Sequence, residues 1–358
     1  MTKEADMKAF GREETRSAFN QYVWKKCLFI IAVTIAALFA GIYLITLGDY
    51  PIGFWECFSI VIDHITKGPG DEIKDFIVWD RRLPMAIMAV VVGVGLAVAG
   101  ATMQSVLKNP LADSYTTGIS SGASFGATLA IIMGVNVVAG SWGLVANAFL
   151  FSLIPMGAIL LISSFRHSSP TTMILSGIAI MYAMDAITTV IRLHANPDAL
   201  KEVYYWGVGS LGYANWENIP IAVGVTAAGV VIMQVVSKVL NILATGDDNA
   251  KSLGVDANKA RMFSLLVVSL TTAAIVSFTG TIGFVGLVCP HIARIFIGSD
   301  NRFLLPGSAA VGALLVIVAD IIARLIAPSS LQVGVVLSFI GGPMFLYILL
   351  RQRKEVWR

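Results

Sequence analysis

Apolar stretches recur ten times along this chain, at about 27–47, 84–107, 115–135, 144–165, 172–192, 219–240, 262–280, 282–297, 306–326 and 333–350. A helix needs about 20 apolar residues to cross the hydrocarbon of a bilayer, where every backbone polar group must be satisfied internally. The pattern predicts an all-α, polytopic membrane protein of about ten transmembrane helices. Composition agrees: of 358 residues 56% are hydrophobic and 13% charged, and the mean hydropathy is +0.79. So few ionisable side chains cannot cover a water-facing globule. The seventh and eighth stretches form one run, which Gly280, Gly283 and Gly286, followed by Pro290, divide in two.

The first 23 residues carry both acids and bases, and the apolar run after them is longer than a signal-peptide core and has no A-x-A site, so a retained first helix is expected. Ten crossings put both termini on one side. Placing them in the cytoplasm assigns eighteen of the 25 Lys and Arg to the inside, as the positive-inside rule requires. The expected organisation is a cytoplasmic N-terminal segment 1–26, a ten-helix domain 27–350 in the cell membrane, and a cytoplasmic tail 351–358. Net charge is only +3, which gives no reason for a nucleic-acid partner. Cys27, Cys57 and Cys289 are scattered singly, so neither a zinc site nor a disulfide framework is expected. The four His residues form no catalytic triad with meaningful spacing, and the chain is not expected to be an enzyme.

Two polar connections are long enough to hold structure. The outer one, Leu193 to Asn218, is aromatic and contains GVGSLG at 207–212. That string fits a dinucleotide pattern, but it lies between spans rather than between a strand and a helix, and is read as a flexible turn. GSAAVG at 307–312 is followed by Ala313 where a phosphate-binding loop needs Lys, so no nucleotide site is recognised. The inner connection, 241–261, reads NILATGDDNAKSLGVDANKAR and favours one or two short helices between Gly246 and Gly254. A helical element in an otherwise lean loop is a docking surface.

Three features inside the apolar runs stand out. Gly118, Gly122 and Gly126, spaced by four, put a packing face on the third segment. Asp320 and Arg324 are placed to pair, which lowers a cost of about 3 kcal/mol for a central charge, and Arg324 can also be offered outward. Asp185 has no charged partner at i±3 or i±4. It is either a proton or cation site or a structural acid bonded to Thr188, Thr189 or another helix.

The stretch RRLPMAIMAVVVGVGLAVAGATMQSVLKNPLADSYTTGISSGASFGA, Arg81 to Ala127, resembles the signature region of the FecCD-type permeases, membrane subunits of ABC importers for ferric siderophores, haem and cobalamin. SLGV at 252–255, GTIGFVGLVCPHIARIFIGSDNRFLLPGSAAVGALLVIVADIIARL at 280–325 and LQVGVVLSFIGGPMFLYILLR at 331–351 follow the same family in order and spacing. The resemblance implies a cobalamin-importer-permease-like subunit that forms a homodimer around a central path. Two ATP-binding subunits, which carry ATP and Mg, would sit on the cytoplasmic side, and a substrate-binding protein would sit outside; this chain itself would bind no cofactor or metal. It further implies ATPase coupling through the 241–261 loop at Gly246, Ala250, Leu253 and Gly254. Binding-protein docking is implied at Arg82 and Arg324, with Arg81 compensating for a third family arginine that is Met85 here. The path would be lined by the fifth and tenth segments, with an inner gate at Ser168, Ser169, Pro170, Thr171 and Thr172. The competing expectation is an ion-coupled secondary transporter using Asp185.

Overall fold

The computed structural model describes residues 2–70, 72–113, 117–165, 169–327 and 331–352, all of it helix, turn or loop. The first helix, α1, runs unbroken from Thr2 to Thr46 over 45 residues, so the boundary expected at residue 26 falls inside a continuous helix. A helical excursion follows: α2 (Phe54–Lys67), the short α3 (Glu72–Asp75) and a π-helical turn, Phe76–Arg82, that leads directly into α4 (Leu83–Val106). Beyond these come α5 (Ile119–Met133), α6 (Gly143–Phe165), α7 (Pro170–Leu193), α8 (Pro197–Val208), α9 (Ile219–Val235) and α10 (Ser237–Ala244). The chain closes with α11 (Asp247–Ser252), α12 (Ala257–Thr279), α13 (Val285–Ile297), α14 (Asn301–Ile326) and α15 (Val333–Gln352).

Among the described residues six helices are long and apolar enough to cross a membrane. The pair α9 and α10, bent by 58°, supplies one more span, and α5, α13 and α15 are shorter apolar helices. Together these occupy the ten apolar stretches of the sequence. The 262–297 run does divide at its glycines: α12 ends at Thr279, and α13 starts at Val285 after Phe284, a non-glycine residue with φ 68. Short polar side chains start several of these helices. Ser169 accepts from Thr172 N at 3.2 Å, Asp256 from Lys259 N at 3.1 Å and Asp300 from Arg302 N at 3.1 Å, each satisfying an amide that the helix itself leaves unpaired.

Helices α4 and α14 form the centre of the bundle. Their backbones touch where Gly93 meets Gly312, and a Cβ at either position would run into the other's carbonyl. One turn-pair further in, Gly100 of α4 lies against the Gly286 carbonyl of α13. In lipid, where apolar side chains gain little by leaving the solvent, such close backbone approach is what holds helices together. Around it α12 and α13 complete the interior, whereas α1 and α7 are largely exposed to the surroundings. Replacing Gly312 with Val should destabilise the purified protein by about 3 kcal/mol or more, the upper end of overpacking costs, because carbonyl and Cβ cannot both be accommodated. Gly224→Val, at an exposed position of α9 with open space around it, should leave the thermal unfolding midpoint in detergent unchanged.

Candidate functional site: the coupling-loop cleft and the arginine clamp

The inner end of α12 carries Arg261, whose side chain is only 2% exposed. A guanidinium at that depth needs a counter-charge and acceptors. It donates to the Val106 carbonyl at the end of α4 at 3.3 Å and to both carboxylate oxygens of Asp247 at 2.9 and 3.1 Å. Asp247 also receives the Lys108 ammonium at 2.6 Å. Lys108, with φ 50, sits in the left-handed region, as the turn after α4 requires. The two cations, Lys108 first, hold the Asp247 carboxyl below its ordinary range. The first residue of α11 is thereby latched to the ends of α4 and α12. Sequence reasoning had placed a helix here but missed the latch, because Lys108 and Asp247 are 139 positions apart.

Of the four expected coupling positions, Leu253 is 64% exposed and Gly254 is exposed beside it. Gly246 is half-buried, with φ 122, at the start of α11. Ala250 differs from expectation: it is fully buried, because it is on the inward side of this short helix, and it offers no contact surface.

Across from this loop is the start of α7. Ser169 and Pro170 line a cleft of about 700 Å³ together with Asp247, Gly254, Asp256 and Arg261. Thr172 closes the capping pair with Ser169, its hydroxyl 3.1 Å from the Ser169 hydroxyl, and Thr171 follows Pro170 on the exposed side of the turn. Ser168 lies outside the described residues. Ser163, at the end of α6, reaches Asn258 at 3.2 Å, a second tie between the α6–α7 region and the start of α12. The structure thus brings the expected gate turn and the expected coupling loop to one cleft, a juxtaposition the sequence did not show.

On the opposite face the arginines expected to project outward are buried. Arg82 is 4% exposed and donates to the carbonyls of Ile45, Thr46 and Tyr50 at 3.3, 3.1 and 2.6 Å. Arg324 pairs with Asp320 at 2.9 Å, donates to the Leu47 carbonyl at 3.2 Å and lies 3.7 Å from the Met85 sulfur. Both side chains clamp the C-terminal end of α1 onto α4 and α14. The expectation of outward, available guanidiniums is therefore corrected for this state: backbone carbonyls of the 45–50 turn have taken them up. Arg81 is the exposed member, its guanidinium 5.6 Å from the centre of the Phe76 ring.

The remaining expectations resolve locally. Gly122 and Gly126 face α6, where a Cβ on Gly122 would lie 2.5 Å from the Phe151 carbonyl and one on Gly126 would meet that of Asn147. Gly118 is instead the residue before α5, with φ 80. Asp185 is exposed on α7, and Thr188 and Thr189 give their hydroxyls to the carbonyls of Met184 and Asp185 rather than to its carboxylate. The expected flexible turn at 207–212 is a packed one: Gly207 and Val208 end α8, Ser210 N donates to the Thr279 carbonyl at 2.7 Å, and Gly334 N donates to the Gly209 carbonyl at 3.2 Å.

Asp247→Asn should loosen the 245–256 loop by about 1–3 kcal/mol, since the buried Arg261 loses its counter-charge. Hydrogen exchange at pH 7 should show faster exchange across α11. The sign of the pH effect follows from the lowered carboxyl: in the wild type the latch is complete above about pH 4, the ordinary carboxylate value, and is lost as pH falls through the lower folded value. The variant should show no such acid-dependent step.

Comparison with known proteins follows this geometry. The profile of the FecCD transport family matches residues 33–351. An ABC transporter permease protein of Methanocaldococcus jannaschii is 40% identical, over 94% of this chain and 98% of its own. The hemin transport system permease protein HmuU of Yersinia pestis is 38% identical over 78% and 84% of the two chains, and the cobalamin import system permease protein BtuC of Halobacterium salinarum 37% identical over 82% and 79%. Among solved structures, an inward-facing metal-chelate type ABC transporter superposes with a TM-score of 0.79 at 25% identity, covering 90% of this chain and 98% of its own.

Proposed function

The chain belongs to the FecCD transport family, and from that premise we propose that it is the permease of an ABC importer that moves an iron chelate, a ferric siderophore or haem, or else a corrinoid, into the cell. Two copies form the path, two ATP-binding subunits with ATP and Mg dock on the cytoplasmic face, where both termini lie, and a substrate-binding protein docks outside. The chain itself supplies no catalytic group: it converts movement of the ATP-binding subunit into movement of the path.

One observation carries this reading: the gate turn at Ser169 and Pro170 shares a cleft with the latched coupling loop. A partner that grips exposed Leu253 and Gly254 moves α11, and α11 cannot move without α12 and the end of α4, to which Asp247 holds it. The cleft then widens or closes against the start of α7. Such a partner biases the balance of inward-open and outward-open states only through different contacts in each, and the latched loop is where that difference enters. The exposed length of α7, with Tyr182, Ile187 and Val190 on its surface, is available to face the second copy and the path. Family membership supports this reading over the ion-coupled alternative built on Asp185.

The test is reconstitution in proteoliposomes with the ATP-binding subunit and the substrate-binding protein. Uptake should require all three together with ATP, and should persist when ion gradients are collapsed; uptake without the ATP-binding subunit would overturn the proposal. Leu253→Asp should leave the chain folded but uncouple hydrolysis from uptake, because it places an unpaired carboxylate in an apolar contact. On the outer face Arg81→Glu should weaken stimulation of ATP hydrolysis by the substrate-binding protein several-fold. Arg82→Ala should instead lower thermal stability, since Arg82 holds the 45–50 turn.

A further inference from the structure

A second cavity, of about 270 Å³, opens on the same cytoplasmic face between the inner ends of α4, α10, α13 and α14. Its polar side chains are Gln104, Ser105, Lys108, Arg294, Ser299 and Asn301. The two amide oxygens among them are already engaged. Gln104 Oε1 accepts from Arg294 at 2.9 Å, while its amide is turned to the Gly286 carbonyl at 3.3 Å. Asn301 Oδ1 accepts from Ser105 at 2.9 Å, and its amide donates to Asn241 at 2.9 Å. What is left is mainly donor capacity: the other nitrogens of Arg294 and further hydrogens of the Lys108 ammonium, beside the hydroxyl of the exposed Ser299, which can donate or accept. Among the described residues Arg294 has no carboxylate partner, and Gln104 is the hydrogen-bond partner found for it. A half-buried guanidinium held in place by a neutral amide, in a cavity whose charged groups are cationic donors, is complementary to an anion.

The location selects the anion. The rim is made of exposed residues in cytoplasmic connections, Pro110 after α4, Ala244 at the end of α10 and Ser299 before α14. Lys108 both lines this cavity and binds Asp247 of the coupling loop, so the cavity sits beside the surface proposed for the ATP-binding subunit. We propose that it is a second docking point for that subunit, receiving an aspartate or glutamate side chain that pairs with Arg294. This rests on the ABC permease reading above. A carboxylate seated there would fix the partner against α13 and α14, while Leu253 contacts it through the moving loop. The partner would then have one fixed contact on the bundle and one on the part that moves.

The test measures the affinity of the ATP-binding subunit for the full-length permease in nanodiscs of zwitterionic phosphatidylcholine, at low and at high salt. Wild type should bind more weakly at high salt, as a charged contact requires. Arg294→Gln should bind at least tenfold more weakly at low salt and lose much of the salt dependence. Ser299→Glu keeps Arg294 and its bond to Gln104, so it tests the site without risk to the fold; it should also weaken binding, and Ser299→Lys should not. If Leu253→Asp weakens binding while Arg294→Gln and Ser299→Glu do not, this proposal is overturned and the permease reading stands. If those two variants bind the subunit normally, and Arg294 proves necessary for retention of phosphatidylglycerol through purification, the site is a lipid headgroup site and the proposal is likewise overturned. Absence of both binding and ATP-dependent uptake in the wild type would overturn the permease reading itself.

Discussion

A guanidinium buried at the end of a membrane helix has to be neutralised where it stands, and Arg261 is neutralised by Asp247, the first residue of α11. That requirement makes the 241–261 connection a mechanical part rather than a tether. Asp247 cannot leave without exposing Arg261 to an unpaired burial, so displacement of α11 is passed to α12 and, through Lys108, to the end of α4. Since α4 lies back-to-back with α14 through Gly93 and Gly312, a shift there reaches the centre of the bundle. Close packing transmits displacement because it has no slack to absorb it.

The end of the bundle where α1 stops is organised by the same rule applied to different acceptors. Arg82 and Arg324 are satisfied mainly by carbonyls at the end of α1 and in the turn after it, with Asp320 neutralising Arg324. A turn stitched down this way presents its own backbone and the adjacent Arg81, not the two arginines, to whatever docks outside. If docking draws on Arg82 or Arg324, the clamp has to open first, and binding would then be linked to the position of α1.

The spans were readable because hydrocarbon imposes length and polarity on each of them, and the break between α12 and α13 because glycines interrupt an apolar run. The pair Asp320–Arg324 was readable from helical spacing alone. The fate of Arg82 was not, since its acceptors are backbone carbonyls, which every residue has and no sequence pattern marks. The burial of Ala250 was not readable because a six-residue helix is too short for periodicity to reveal its inward side. The latch and the Arg294 cavity join residues from distant parts of the chain, Lys108 with Asp247 and Gln104 with Arg294, and single-sequence spacing carries no signal at such separations.

Everything said about coupling depends on relative motion across the cleft between the gate turn and the coupling loop. Cysteines introduced at Ser169 and Asp256, both exposed residues of that cleft, allow it to be locked by a reducible bifunctional thiol reagent of matching span in the reconstituted transporter. The account predicts that the cross-linked protein still binds the ATP-binding subunit and hydrolyses ATP but does not transport, and that reductant restores uptake. Full uptake with the cleft locked would contradict it.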